Sequence, residues 1–144
     1  MQIQFKIRLG ETKATRVDLS PCEEEVEEEF KFSCSQAYAE EEANSFLIVF
    51  EVDYISEQKY KLHIQYQAIF YTNEKVDDSF KDSHFPKVNA PAIAYPFLRS
   101  FVSTMTLNAG YEPIILPTIN FSALAKGSAE QESDVDLNDS LDTD

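Results

Sequence analysis

The chain has 144 residues and a formal net charge of −14, which is the length of a single domain with its own hydrophobic core. The negative charge argues against nucleic acid as a partner, because phosphate recognition needs clustered Lys and Arg, and it favours a basic partner or a positively charged unfolded chain. The sequence contains no run of about 18 apolar residues, so it predicts no membrane-spanning helix.

Four segments alternate between apolar and polar side chains, which predicts β-strands. They span residues 2–9, 26–38, 44–55 and 58–71. The first shows this alternation in place of the regions of a signal peptide, so we interpret it as a strand. Short polar connections between the segments predict an antiparallel sheet with one apolar face. Leu47 and Val49 add apolar side chains to the other face, which indicates a central strand covered on both sides at its start.

One helix within residues 91–109 is predicted to cover the apolar face of this sheet. Phe97, Phe101 and Met105 recur at helical spacing and form an apolar stripe, which Leu98 and Val102 flank. Pro96 is expected in the first turn, because a proline inside a helix removes a backbone hydrogen bond. Gly110 is suited to the left-handed conformation that ends many helices.

The loop after this helix, residues 111–119, is unusual because it is mostly apolar and holds two prolines. Proline prevents it from continuing the helix or forming a central strand, and surface loops are normally polar. Two interpretations remain open: the loop is buried as a structural element, or it is partly open to receive a ligand. Asn120 then caps a short helix predicted to run through Lys126 and to end at Gly127.

Residues 127–144 hold seven acidic residues and no Lys or Arg, and they contain little that could be buried. We therefore divide the chain into a folded domain, residues 1–126, and a disordered acidic tail, residues 127–144. The tail either increases solubility or docks onto a basic partner. Leu137 and Leu141, four residues apart, would give it one apolar helical face on binding.

The sequence contains no constellation that indicates catalysis, a metal or a cofactor. His63 lies on the polar face of a strand and His84 lies in a loop, and neither is accompanied by a nucleophile and base pattern. The chain has no glycine-rich phosphate loop. Cys22 and Cys34 match no zinc spacing, and two cysteines are typical of a reduced, cytoplasmic protein. An enzyme with an apolar pocket, dependent on His63 or His84, is the third class of function that we consider.

An acidic run, residues 23–29, overlaps the start of the second strand, and alternation places Glu25, Glu27 and Glu29 on one face at intervals of about 7 Å. That spacing does not fit the compact loop that calcium needs. Lys59 and Lys61 would relieve the repulsion if their strands were neighbours. The run is either a solvated strand face or an acidic surface for a partner.

The strongest signal is the order of motifs between residues 89 and 125. A pattern close to P-x-I-x-[FY]-P-[FY]-x-R is followed by a glycine, an apolar proline-containing loop and the motif N-F-x-A-L. The positions that carry the pattern are Pro91, Ile93, Tyr95, Pro96, Phe97, Arg99, Gly110, Pro113, Leu116, Ile119, Asn120, Phe121, Ala123 and Leu124. In this order and spacing the stretch resembles the carboxy-terminal half of the SecB family of protein-export chaperones.

The resemblance implies an α+β fold, in which a long helix and a short C-terminal helix back a four-stranded antiparallel sheet. It also implies assembly into a dimer of dimers, and ATP-independent binding of unfolded precursor polypeptides in apolar grooves for export. The implied partners are these polypeptides and the SecA translocation ATPase. The groove candidates are Tyr111, Pro113, Ile114, Leu116, Ile119, Phe121 and Leu124, with Glu25, Glu27 and Glu29 as a candidate partner surface.

The chain departs from the family pattern in two places. The segment after the first strand keeps only a remnant of it in residues 18–21, and the second helix is short and meets an acidic tail. These departures leave room for a SecB-like chaperone that serves one partner, such as an antitoxin of a toxin–antitoxin system. No residue is expected to be catalytic, and Arg99 is interpreted as a structural hydrogen-bond donor between helices or subunits.

Overall fold

Four strands form one antiparallel sheet in the computed structural model, which describes residues 5–23, 25–41 and 43–131, with side chains as far as Gly127. The order across the sheet is β1-β4-β3-β2, and all neighbours are antiparallel. The strands are β1 (Ile7–Pro21), β2 (Glu29–Ala37), β3 (Ser45–Ser56) and β4 (Tyr60–Thr72). The predicted α+β fold with a four-stranded antiparallel sheet is confirmed.

Strand β1 is longer than the alternation at residues 2–9 predicted, and it contains two β-bulges. The pairing register shifts by one residue between Leu9 and Thr12, and again between Ala14 and Arg16. Each extra residue exchanges the two faces of the strand, so period two is interrupted twice within a single strand. This is why the sequence pattern stopped at Leu9 although the strand continues.

One face of the sheet forms the core. Every even-numbered residue of β3 and β4 is buried, as the period of two predicted. Phe46 faces Phe70 across the two strands, with ring centroids 5.5 Å apart. The odd-numbered residues form the opposite face, which we call the outer face.

Three helical segments precede the apolar loop. The short helix α1 (Asp78–Lys81) was not predicted; Asp77 caps it by accepting a hydrogen bond from the Phe80 N–H at 2.8 Å, and Phe80 is buried against Phe46. A π-helical segment (Phe85–Asn89) follows and leads directly into helix α2 (Ala90–Asn108). None of the described helices combines the length and the apolar character needed to cross a membrane.

Helix α2 differs from its prediction in where it begins and in the face that it buries. It begins at Ala90 with Pro91 in the first turn, so the expectation that Pro96 marks the first turn is wrong. The helix packs through four buried residues at four-residue spacing, Ala94, Leu98, Val102 and Thr106. Phe97, in the predicted stripe, is instead 48% exposed. Small and branched side chains let the helix approach the sheet closely, and they displace the larger Phe97 outward.

Both predicted caps around the loop are confirmed. Gly110 has φ of 101°, and the N–H groups of Gly110 and Tyr111 return to the carbonyls of Leu107 and Thr106, each at 3.1 Å. The Asn120 side chain accepts from the Ala123 N–H at 3.0 Å and begins helix α3 (Phe121–Gln131).

Helix α3 runs beyond Gly127, where the sequence predicted its end, and so crosses the predicted boundary between domain and tail. The rest of the predicted acidic tail, residues 132–144, lies outside the described residues.

Candidate functional site

The apolar loop is held at three points by hydrogen bonds to the rest of the fold. The Tyr95 hydroxyl donates to the Pro117 carbonyl at 2.5 Å. The Ile114 N–H donates to Thr106 Oγ1 at 3.0 Å, and the Glu112 N–H donates to the side chain of Gln58 at 3.1 Å. The loop is therefore fixed over the core face and is built as part of the fold.

Between Ile114 and Leu116 the side chains of this loop alternate in exposure, as in an extended segment with one covered face. Ile114, Leu116 and Ile119 are buried, whereas Ile115 between them is 74% exposed. Most apolar side chains of the loop are thus structural, and one large apolar side chain is exposed. That the loop receives a ligand stays a prediction. Ile115 is therefore a large apolar side chain that this hydrogen-bonded loop presents at the surface.

Beside Ile115 lies a cavity of about 230 Å³ between the loop and the edge of the sheet. The strands contribute Phe30 and Tyr54 to its lining. The other lining residues are Glu28, Gln58, Glu112, Pro113, Ile114, Ile115, Leu116 and Pro117. We call this cavity the loop cavity. Its volume suits one or two side chains of a bound polypeptide.

Two exposed carboxylates, Glu28 and Glu112, give the loop cavity an acidic rim. The Tyr54 hydroxyl donates a hydrogen bond to Glu28. Burial of the ring raises the pKa of Tyr54, and the neighbouring Glu28 carboxylate raises this pKa further. The hydroxyl therefore stays protonated at neutral pH and remains a donor at the mouth of the cavity.

The seven groove candidates occupy three kinds of environment. Pro113, Ile114 and Leu116 line the loop cavity. Phe121 and Ile119 belong to the buried core. Two others are partly buried against the core: Tyr111, whose ring lies 4.1 Å from that of Tyr60, and Leu124.

Three residues of the loop cavity were not predicted from the sequence as site residues: Ile115, Phe30 and Tyr54. The signal for Ile115 was present as the period of two within the extended loop, with Ile114 and Leu116 on either side facing inward. The strand residues could not be found from sequence, because only the tertiary fold brings the start of β2 next to the loop.

The predicted acidic surface is exposed but is arranged differently from the expectation. Glu29 is the first residue of β2, so the strand alternation does not extend to Glu25 and Glu27. The neighbour of β2 is β3, not β4, so the predicted relief by lysines of the fourth strand is wrong. Glu29 pairs instead with Lys31 of its own strand at 3.5 Å.

The two histidines lie apart from the loop cavity. His63 is on the outer face, where its Nδ1 lies 2.7 Å from an oxygen of Asp53. Asp18 is opposite His63 on β1, and both belong to a shallow cavity of about 370 Å³. His84 is exposed and stacks on Phe85 with ring centroids 4.7 Å apart. Within the described ranges, neither histidine forms a hydrogen bond with a Ser, Thr or Cys.

The sequence and the architecture of this chain match a known protein family. A family model described as preprotein translocase subunit SecB matches residues 13–132. The chain belongs to the SecB family. The match begins at Lys13 and so includes the part of strand β1 that follows its first bulge, which the sequence motifs did not reach.

Individual relatives are distant and cover part of the chain. An uncharacterised protein of Methanocaldococcus jannaschii, MJ0357, is 29% identical over 93 residues, 60% of this chain and 58% of its own length. The protein-export protein SecB of Anaplasma phagocytophilum is 30% identical over 74 residues, 49% of this chain and 46% of its own. The chain thus spans about half the length of these relatives.

A solved structure shares the fold at low sequence identity. The SecB-like chaperone Rv1957 of Mycobacterium tuberculosis was solved in complex with a ChAD peptide from the Rv1956 HigA1 antitoxin. It matches with a TM-score of 0.61 and 10% identity, over 76% of this chain and 85% of its own. This similarity confirms the SecB-like fold.

Proposed function

We propose that this chain is an ATP-independent chaperone, a holdase that binds unfolded precursor polypeptides and keeps them competent for export by the Sec translocase. Membership of the SecB family supports a chaperone role. The observation that carries the proposal is the position of Ile115, which is 74% exposed beside the loop cavity. An exposed isoleucine beside a cavity offers a bound polypeptide apolar area to bury.

The chemistry of the loop cavity suits a chaperone with many clients. Aromatic and branched side chains stabilise a ligand by burial of apolar area, which is non-directional and tolerates many sequences. The groove contacts would come from Ile115 and Pro113, above a floor of Ile114 and Leu116. The other predicted groove residues, which are Tyr111, Ile119, Phe121 and Leu124, would support this floor and contribute where clients extend along the loop.

We also propose that the protein is a homotetramer, a dimer of dimers. Helix α2 carries an apolar face directed away from the sheet, formed by Ile93, Phe97 and Leu107, which are 44%, 48% and 57% exposed. Their spacing of four and then ten residues keeps all three on one side of the helix. A second copy of the helix would cover this face.

The test of the holdase proposal is the variant Ile115→Asp, compared with Thr118→Asp on the same loop. Thr118 is also exposed, so both changes add one charge to the loop surface. We expect Ile115→Asp to abolish suppression of aggregation of a reduced, unfolded client, and Thr118→Asp to retain it. Ile114 and Leu116 are unsuitable for this test, because an aspartate at either buried position would unfold the protein.

Urea unfolding of the two variants should agree within about 0.5 kcal/mol, since surface substitutions rarely change stability by more. A variant Ile115→Asp that protects the client as well as the unaltered protein does would overturn the loop cavity as the client site.

A second candidate is a chaperone dedicated to one partner, such as an antitoxin. The SecB-like protein with the same fold was solved with an antitoxin peptide, which favours considering it here. This function would give one tightly bound partner on purification and little protection of generic clients. Ile115→Asp would then release that one partner.

The acidic residues Glu25, Glu27 and Glu29 are proposed as a contact surface for the SecA ATPase or another basic partner. All three are exposed. Replacement of the three by glutamine should weaken binding of that partner and reduce its salt dependence, while client protection stays unchanged. If the variant and the unaltered protein bound that partner with equal affinity at all salt concentrations, this surface would be excluded as the contact.

A further inference from the structure

The outer face of the sheet carries an apolar patch that no described helix covers. It consists of Leu47, Val49, Ile69 and Tyr71, which meet across β3 and β4. The ring contacts of the helical segments all go to the core face, as from Phe80 to Phe46. Tyr71 is 39% exposed. The sequence pattern of β3 predicted that both faces of this strand are covered at its start. Among the described residues, helices cover only the core face.

A basic stripe lies beside this patch on the edge strand β1. Arg8, Lys13 and Arg16 pair with Tyr71, Gln67 and Gln65 of β4, so all three share the outer face. Arg16 forms an ion pair with Asp18 at 2.6 Å. Among the described residues, Arg8 meets the Tyr71 ring at 4.9 Å and no carboxylate, and Lys13 meets none either.

The combination is unusual in a chain of net charge −14. Arg8 and Lys13, which have no carboxylate partner among the described residues, attract the most negative segment within reach. An occupant of this face must also cover the apolar patch. Residues 132–144 meet both. They contain six acidic residues, no Lys or Arg, and three branched apolar residues, Val135, Leu137 and Leu141.

We propose that the carboxy-terminal segment, residues 132–144, docks onto the outer face of its own chain. Its carboxylates would pair with Arg8 and Lys13, and its apolar residues would cover Ile69 and Tyr71. The segment would leave the loop cavity free, because that cavity opens at the edge of β2 and beside the core-face loop, away from β1.

The path of the chain permits this contact. Helix α3 packs against the π-helical segment, and Phe85 of that segment lies 6.2 Å from Phe5, just before β1. The Pro86 carbonyl of the same segment accepts a hydrogen bond from the side chain of Gln36 in β2. The helix that residues 132–144 follow is therefore packed against a segment that reaches from the start of β1 to β2. Residues 132–144 span about 43 Å when extended, whereas the four-stranded sheet is only about 14 Å wide.

The test is carbodiimide cross-linking of the full chain, mapped by mass spectrometry, with Lys13 as the reporter. The Lys31–Glu29 ion pair at 3.5 Å is the internal control for the reagent. We expect links from Lys13 to carboxylates of residues 132–144. They should fall by about fivefold or more in 1 M salt, where screening acts within about 3 Å.

Arg8→Glu should reduce these links, and Lys75→Glu, an exposed lysine elsewhere, should not. Adding Asp134→Lys and Asp136→Lys to the Arg8→Glu chain should restore contact, detected as links between the new lysines and position 8. A mixture of ¹⁵N-labelled and unlabelled chains shows whether each link is within one chain. Absence of Lys13 links when the control pair is linked, or links only between chains, would overturn the proposal.

Discussion

The hydroxyl of Thr106 joins helix α2 to the backbone of Ile114. It accepts a hydrogen bond from the Ile114 N–H at 3.0 Å and donates one to the Val102 carbonyl at 2.9 Å. Thr106 is fully buried. This one side chain therefore satisfies the backbone of the loop at the point where the loop begins to line its cavity.

Thr106→Val keeps the shape of this side chain and removes the acceptor. The buried Ile114 N–H is then left unsatisfied, which should cost about 1–3 kcal/mol of unfolding free energy. Urea unfolding measures the loss, and Thr104→Val on the exposed side of α2 is the matched control. Equal midpoints for the two variants would show that the loop is not held at this point. Client affinity should also fall in Thr106→Val, because the cavity floor loses its support.

The buried Tyr95 should make stability sensitive to alkaline pH. Burial raises the pKa of Tyr95, and the nearby Arg99 opposes this only in part. The folded state then holds the phenol proton more tightly than the unfolded chain does, whose pKa is about 10. The contribution of the Tyr95 phenol to the free energy of unfolding is therefore fully present below pH 10, and it is lost as the pH rises above this value. Urea midpoints from pH 8 to 11 should therefore decline.

The variant Tyr95→Phe distinguishes the loss of stability caused by the Tyr95 phenol from the loss caused by other groups that titrate at alkaline pH. At pH 8 it should be less stable by about 1–3 kcal/mol, because the Pro117 carbonyl loses its donor. Between pH 10 and 11 its midpoint should fall less steeply than that of the unaltered protein. Parallel declines in the two proteins would assign the alkaline effect to other groups.

Gly10 is required because Tyr71 occupies the space of a side chain there. A Cβ at this position would lie 2.5 Å from Cε2 of Tyr71 and 3.0 Å from Cγ2 of Ile69. Gly10→Ala should destabilise the fold by about 1–3 kcal/mol through overpacking. In a Tyr71→Ala background the cost should shrink, and the double-mutant cycle measures the coupling. Gly127→Ala, with nothing within 4 Å, should be neutral or slightly stabilising.

If the exposed apolar face of α2 forms the contact between subunits, charged residues introduced there should dissociate the oligomer. Phe97→Asp with Leu107→Asp should reduce the mass in light scattering from near four times 16.4 kDa to a smaller species. Circular dichroism should stay unchanged, because both side chains are exposed within one chain. Ala92→Asp, in the first turn of the helix, is the control. A variant that retains the full mass would place the subunit contact elsewhere.

The strands β2, β3 and β4 could be predicted from sequence because each keeps an uninterrupted period of two. The long part of β1 could not, since its two bulges exchange faces and the alternation stops. Helix α1 is too short for any periodic signal. In α2 the spacing of four residues fits two stripes equally well, and only packing against the sheet selects Leu98 over Phe97.

The sequence located the loop of the candidate site, but it could not predict which side chains come together to line the cavity. The apolar, proline-containing character of residues 111–119 marked the segment correctly. Which of its side chains face outward depends on hydrogen bonds from Tyr95 and Thr106, whose partners are far away in sequence. Of the two acidic residues of the rim, Glu112 belongs to the loop, whereas Glu28 reaches the cavity only through the pairing of β2 with β3.

The two bulges of β1 also decide which changes in length this strand tolerates. Deleting one residue at a single bulge would turn the remainder of the strand over, bringing Arg16 and Asp18 to the core face and Leu19 to solvent. Deleting one residue at each bulge would restore both ends to their present faces, because β1 would then match β4 residue for residue. Homologous chains should therefore lose or gain residues here in pairs.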